Sequence, residues 1–202
     1  MFKQLTKDSF YYGATVVLMT TKNPNTGIDN LTPPLSSTWT LDQTIVFGIG
    51  LHNQGYLNLA KGTNLTFNIA DGGEHWQQVE KVAKTTGTHE IPGGYKERAG
   101  YTYCADKFGL GNFTKLPGIT GETVRIKECP LQLEATVLQI TKRATFAIVE
   151  CQIKAIFVLE DLLYDSTHID VEKWHPLIYK FREYATTKHQ LGKNFRFAEF
   201  SR

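Results

Sequence analysis

Over most of the chain, apolar positions alternate with polar ones in short runs, the period of a strand with one buried face. Residues 13–20 form a short β-branched run that ends in the turn-rich Asn23-Pro24-Asn25-Thr26-Gly27, which predicts a first strand. Residues 44–51 predict a second, with Ile45, Phe47, Ile49 and Leu51 on one face and Val46, Gly48 and Gly50 on the other. Two glycines leave that second face nearly bare, as a tight barrel bend or the close approach of a ligand requires. Leu65, Phe67 and Ile69 mark a third strand. Leu131, Leu133, Ala135 and Val137 alternate until the phase slips at Leu138 and Ile140, which predicts a bulge. From Ala147 to Leu159 the alternation is unbroken.

Helical spacing is scarcer. A short helix is expected over residues 53–61, capped by Asn53 and ended by Gly62, and another over 74–84 with Trp76, Val79 and Ala83 in register. Val171, Trp174, Ile178, Phe181 and Ala185 fall on one stripe and predict a helix over 171–185, its regular part starting near Pro176. Residues 85–123 have little periodicity and many glycines, the mark of a long functional or mobile loop. The aromatic tail, with Phe195, Phe197 and Phe200, is expected to dock on the body or on a second subunit. Strands without regular crossover helices favour an antiparallel barrel with helices outside over a doubly wound parallel sheet. With no repeat or linker, residues 1–202 read as a single domain.

Composition narrows the function classes. The 202 residues are 41% hydrophobic and 21% charged, ordinary globular values. A formal net charge of +2 points to neither nucleic acid nor an anionic membrane as partner. No apolar stretch is long enough to span a bilayer, and residues 1–8 lack a signal peptide's apolar run, so a cytoplasmic protein is expected. Cys104, Cys129 and Cys151 are widely spaced and suit neither a disulfide framework nor zinc; no metal is expected. Gly48-Ile49-Gly50 fails as a dinucleotide fingerprint, because Asn53 stands where the third glycine belongs. The chain has no phosphate loop, no second histidine at metal spacing from His89-Glu90, and no Gly-x-Ser-x-Gly elbow.

Two polar clusters remain. Residues 27–40 combine amides and hydroxyls with Pro33 and Pro34, which stiffen the backbone; such a segment is either a polar turn or a surface matching the edge of a flat heterocycle. His52-Asn53-Gln54-Gly55 opens the short helix, as a simple N-cap or as an anion site. The two flank the Gly48 and Gly50 strand, together a nucleotide-sized site.

Asn30-Leu31-Thr32-Pro33-Pro34-Leu35-Ser36-Ser37-Thr38-Trp39 resembles the Asn-Leu-Ser/Ala-Pro…Ser-Ser-x-Trp loop of the flavin reductase-like, FMN-binding split-barrel proteins. Further similar pieces follow in the same order: Gly48-Ile49-Gly50, Asn58-Leu59, residues 64–68, Gly100-Tyr101 through Asp106-Lys107-Phe108, residues 128–135 (Glu-Cys-Pro-Leu-Gln-Leu-Glu-Ala), and His175-Pro176-Leu177-Ile178. The resemblance implies a mainly β fold, a six-stranded antiparallel Greek-key split barrel with peripheral helices. It implies a homodimer with one FMN per subunit. By position Asn30, Thr32, Ser36, Ser37, Thr38 and Trp39 should line the flavin and its ribityl chain, and Asn53, Gln54 and Gly55 should face the phosphate. For Trp39, packing in the core or at a dimer interface stands level with a flavin contact. The family often has Ser-x-Thr where this chain has Asn53-Gln54-Gly55, so a hydroxyl is missing at Gly55.

The implied chemistry is hydride transfer from NADH or NADPH to flavin N5, the cofactor reacting and the protein positioning it. Backbone N–H groups of residues 32–37 are candidates to stabilise the reduced ring, and no residue is assigned as acid or base. The 85–123 loop, with Tyr95, Tyr101, Tyr103, Lys96 and Arg98, could cover the ring. An NAD(P)H-dependent flavin reductase is the first reading, with a small-molecule substrate or an electron-accepting partner. A flavoredoxin-like electron carrier and a non-catalytic binding module are the alternatives.

Overall fold

A computed structural model describes residues 2–6, 10–73, 75–88, 95–187 and 191. In chain order the elements are β1 (Tyr12–Thr15), β2 (Val17–Lys22), β3 (Asp29–Leu35), β4 (Thr38–Leu41), β5 (Thr44–Gly50), α1 (Gln54–Leu57), β6 (Asn64–Ile69), α2 (Trp76–Ala83), β7 (Thr85–Thr86), α3 (Tyr95–Arg98), β8 (Thr102–Tyr103), α4 (Lys107–Gly111), β9 (Lys115–Pro117), β10 (Val124–Ile126), β11 (Leu131–Lys142), β12 (Phe146–Val158), β13 (Ile178–Lys180) and β14 (Glu183–Ala185).

The main sheet runs β3-β2-β6-β11-β12-β5-β4, every pair antiparallel. β3 and β4 stand at opposite ends of this order, yet only Ser36 and Ser37 separate them in the chain. Two residues cannot cross a flat seven-stranded sheet, so the sheet rolls into a barrel. The Gly48 N–H donates to the Ser37 carbonyl (2.9 Å) at the seam. Seven strands stand where six were expected, because the chain breaks at Ser36-Ser37 and divides one long strand into β3 and β4. β5 and β6 follow one another in the chain without pairing; β6 inserts between β2 and β11, and β12 returns to β5, which makes the topology a Greek key.

The alternating residues fill the interior. Ile45, Phe47 and Ile49 of β5 pack with Phe67, Leu65, Val149 and Cys151, and Phe47 meets Phe67 edge to face at 5.2 Å. The expected slip in β11 is present, with register shifts at Glu134/Ala135 and Val137/Gln139 and Leu138 turned outward. A second apolar cluster lies outside the barrel, where Leu18 and Leu31 meet Val79 and Val82 of α2, Phe108 of α4, Phe113, Ile126 and Leu177.

Four expectations are corrected. The first run is two strands, split at Val16, whose N–H bonds the Leu177 carbonyl (2.8 Å) instead of a sheet neighbour. The 53–61 helix is the single turn α1, and the Asn53 side chain does not cap it. The helix over 171–185 is absent; β13 and β14 form a hairpin on β1. Its turn is Phe181-Arg182, both at positive φ (46° and 73°), as a two-residue hairpin turn demands. Leu177, Ile178 and Tyr179 form a continuous apolar run that suits a strand as well as a helix, and pairing with β1 satisfies its backbone groups. The 85–123 region is not one loop, since β7, α3, β8, α4 and β9 punctuate it. Residues 192–202, including the aromatic tail, lie outside the described residues. No helix among the described residues is long and apolar enough to cross a membrane.

Candidate functional site

Edge strand β3 and the α1 corner bound a cleft of about 240 Å³. Thr32 and Pro33 come from β3, Asn53 and Gln54 from α1 and the residue before it, Thr85, Thr86 and Gly87 from β7 and the residue after it, Lys107 from α4, Tyr11 from the segment before β1 and Tyr101 from the segment before β8.

A polar chain lies behind this lining. Asn30 and Thr32 share a face of β3 by the two-residue period. The Asn30 amide donates to the Thr32 hydroxyl (3.2 Å) and to that of Thr21 (3.5 Å). Thr21 also accepts from Asn58 (3.0 Å), whose carbonyl accepts from Gln54 (2.8 Å). The chain therefore ties β3 to α1 through buried Thr21 and Asn58, and holds Gln54 at the cleft.

The bare face of β5 brings the two predicted clusters together. A Cβ on Gly48 would stand 3.6 Å from Ser37, and one on Gly50 3.3 Å from the Asn53 amide. Gly55 is buried against the other wall. A Cβ there would overlap the Thr32 hydroxyl and come within 2.7 Å of the Met19 methyl. The hydroxyl missing at Gly55 is thus replaced in space by that of Thr32, a strand residue.

Of the nine residues singled out from sequence, Thr32, Asn53 and Gln54 line the cleft, Asn30 braces Thr32, and Gly55 makes room for it. Ser36, Ser37, Thr38 and Trp39 lie outside the lining, along the β3–β4 seam; Trp39 is 56% exposed on an edge strand, which removes core packing as its role.

Lys107 is the residue that the site reading passed over. Asp106 caps α4 by accepting from the Gly109 N–H (2.9 Å). This sets Lys107 in the first turn, 5% exposed, with Nζ donating to the Leu31 carbonyl of β3 (3.0 Å). Among the described residues no carboxylate forms an ion pair with it. Burial lowers its pKa to about 8, opposed by nearby Cys104 and reinforced by Lys96. A cation in a helix's first turn opposes the helix dipole, a local conflict that marks functional positions. Lys96 reaches the same corner, its Nζ donating to the His52 carbonyl (3.1 Å), and burial lowers its pKa too. Arg98 and Tyr103 are exposed.

Among the described residues no cluster of His, Cys, Asp or Glu is placed to hold a metal. Cys129 and Cys151 are buried thiols whose pKa values burial raises, to about 12 for Cys151.

No family model matches the chain. It is 36% identical over 198 residues to the uncharacterized protein YdfE of Bacillus subtilis (strain 168), covering 96% of this chain and 94% of that one. Among solved structures, the flavoredoxin of Methanosarcina acetivorans superposes with a TM-score of 0.78 at 17% identity, with both chains covered in full. The flavoredoxin of Desulfovibrio vulgaris (Miyazaki F) gives 0.77 at 19% identity, with 98% of this chain and 100% of that one covered. A Shewanella frigidimarina protein described as a flavin reductase with a split barrel domain gives 0.69 at 14%, with 91% and 86% covered. The chain therefore belongs to the family of Bacillus subtilis YdfE and has the split-barrel fold of the flavin reductase-like and flavoredoxin proteins.

Proposed function

We propose that the cleft binds FMN and that the protein is an NAD(P)H-dependent flavin oxidoreductase. The observation that carries this reading is Lys107, a buried cation lining a polar cleft, with one carbonyl for its three donors and no ion-pair partner among the described residues. Such a group is costly unless an anionic or electron-rich ligand meets it. The donor set suits a flavin mononucleotide: an ammonium and the Thr32 hydroxyl for a heterocycle edge, and the Asn53 and Gln54 amides with Lys96 for a phosphate.

When bound, the flavin supplies the redox chemistry, accepting hydride at N5. Lys107 would hold positive charge beside the ring and favour its reduced, anionic form. Thr32, braced by Asn30, would fix the ring edge. Tyr11 and Tyr101 on the rims would bound the open face and limit water there. The exposed Trp39 and Leu41 of edge strand β4 suit contact with a second copy of the chain; gel filtration at a dimer's volume is the expected result. Residues 85–123 supply Thr85, Thr86, Gly87, Tyr101 and Lys107 to the cleft, more than the cover they were expected to form.

The test is the spectrum of purified protein with added FMN, followed by anaerobic titration with NADH and NADPH. A yellow protein bleached by either nucleotide supports the reading. A yellow protein that bleaches only with a partner reductase would make it an electron carrier, the reading favoured by the near-complete overlap with two flavoredoxins. A colourless protein that takes up no FMN would leave a binding module for another ligand.

A further inference from the structure

The β13–β14 hairpin breaks a local rule. Its turn residues Phe181 and Arg182 both take positive φ (46° and 73°). That conformation is cheap for Asn, Asp and Gly and costly for a bulky ring. The β4–β5 hairpin meets the same demand with Asp42 and Gln43, two polar residues. A costly backbone conformation directs attention to the side chains it presents.

Those side chains stand in solvent. Phe181 is 59% exposed and meets Phe10, 58% exposed, with ring centroids 5.2 Å apart at 83°. Tyr12, 78% exposed, lies beside Phe10 at 6.5 Å and 27°. Three exposed rings in contact differ from the single apolar residues scattered over an ordinary surface. Phe10 and Phe181 make an open corner, in which a flat heterocycle stacks on one ring and meets the other at a right angle. Cations flank it. Exposed Lys180 stands opposite Tyr12 in the β1–β13 register, and exposed Arg182 follows Phe181. Neither forms an ion pair among the described residues. Glu183, opposite Lys180, is the carboxylate of the same hairpin.

The corner adjoins the cleft. Tyr11 lines the cleft, and its carbonyl accepts the Phe181 N–H (2.8 Å). Phe10 and Tyr12 face the other way by the two-residue period, so a single edge strand separates corner from cleft. The cleft volume of about 240 Å³ is small beside the roughly 300–1,000 Å³ of ordinary ligand sites. It leaves no room for a whole dinucleotide beside a flavin ring, and the end of the donor that does not react must be held outside.

We propose that the Phe10–Phe181 corner binds the adenosine 2′-phosphate end of NADPH, with adenine stacked on the rings and the phosphate against Arg182 and Lys180. The inference rests on the NAD(P)H reading of the cleft and adds the identity of the donor. Ring stacking holds any base. The guanidinium and ammonium discriminate, because NADH carries a neutral hydroxyl where NADPH carries the phosphate. Glu183 repels that phosphate and limits the preference.

Two measurements test the corner and separate its failure from that of the cleft reading. In the first, the full chain is titrated in a calorimeter, before any flavin is added, with adenosine 2′,5′-bisphosphate and with adenosine 5′-monophosphate. The bisphosphate is expected to bind roughly tenfold more tightly. Phe181→Asn with Arg182→Gly installs the turn residues that this backbone favours. The double variant should unfold at higher urea than wild type, yet bind the bisphosphate roughly tenfold more weakly. Glu183→Gln should bind it more tightly. No binding by wild type, or unchanged binding in the double variant, would overturn the corner. In the second, FMN-loaded protein is titrated anaerobically with each nucleotide. NADPH should bleach the flavin at roughly tenfold lower concentration than NADH, a preference that the double variant loses. Equal use of both by wild type would overturn the assignment of the donor. Bisphosphate binding that depends on Phe181 and Arg182, in a protein that takes up no FMN, would support the corner and overturn the cleft reading.

Discussion

The barrel interior and the cleft side of the same sheet obey different rules. Inside, Phe47, Phe67, Leu65 and Val149 form an apolar cluster with no charged member. Outside, β2 and β3 meet α2 and α4 across Leu18, Leu31, Val79 and Phe108, but that layer also holds buried Lys107, Thr85 and Thr86. Apolar burial at roughly 25 cal/mol per Å² stabilises both layers. Only the second retains polar groups whose desolvation works against the fold. The difference separates scaffold from site: a layer selected for packing alone would have no reason to keep an ammonium.

Variants on the two sides should therefore differ in kind. The largest loss of stability is expected inside. Phe67→Ala, fully buried against Phe47, should cost about 3–5 kcal/mol in urea unfolding. A loss below 1 kcal/mol would show that this ring is not a core element.

Gly55→Ala comes next. Its Cβ would overlap the Thr32 hydroxyl, at a cost of roughly 1–3 kcal/mol for overpacking. Combining it with Thr32→Ala should recover part of the loss, and a double-mutant cycle would measure the coupling. Strict additivity would contradict the replacement of one side chain's space by the other's.

Lys107→Met should reverse the usual relation between stability and function. Removing a buried cation should leave stability unchanged or higher, while FMN binding weakens roughly tenfold or more, about 1.4 kcal/mol. The sign with pH follows from a folded pKa lowered to about 8 from the ordinary lysine value of 10.5. Between these values the unfolded chain binds more protons at this residue, so its contribution to stability rises with pH and is lost as pH falls through 8. Buried Cys129 and Cys151 act oppositely: their raised pKa values favour the fold below about pH 9, an effect that Cys151 loses as pH rises toward about 12. The stability of wild type minus that of Lys107→Met, followed from pH 7 to 11, isolates the lysine and should increase. A flat difference would show that the ammonium is not buried in solution.

The smallest expected effect on stability is at the seam. Ser36→Leu with Ser37→Leu, at a half-buried and an exposed position, should fold normally, each change costing within about 0.5 kcal/mol, yet abolish FMN uptake if the flavin extends from the cleft along β3–β4. Full retention of FMN would confine the ligand to the Lys107 side.

How much of this was legible in the sequence follows the same division. Strands whose one face is buried announce themselves: β5, β6, β12 and the bulge in β11 stand where alternation and its slip predicted. The 171–185 stretch misled because its helical stripe is real in the sequence, while the strand pairing that overrides it is made by β1, a distant partner. The polar clusters at residues 30–32 and 53–55 were visible as chemistry, but not the Asn30–Thr21–Asn58–Gln54 chain that couples them. Lys107 was hidden among aperiodic residues, because only the fold of 85–123 places it under β3. Its one local signal was a capping aspartate followed by a lysine in the wrong end of a helix dipole.

The most direct measurement is a crystal structure grown with excess FMN. Density for the isoalloxazine against Lys107 and Thr32, with the phosphate beside Asn53 and Gln54, is the predicted result. A cleft filled by the protein's own side chains, or FMN bound elsewhere, would contradict it.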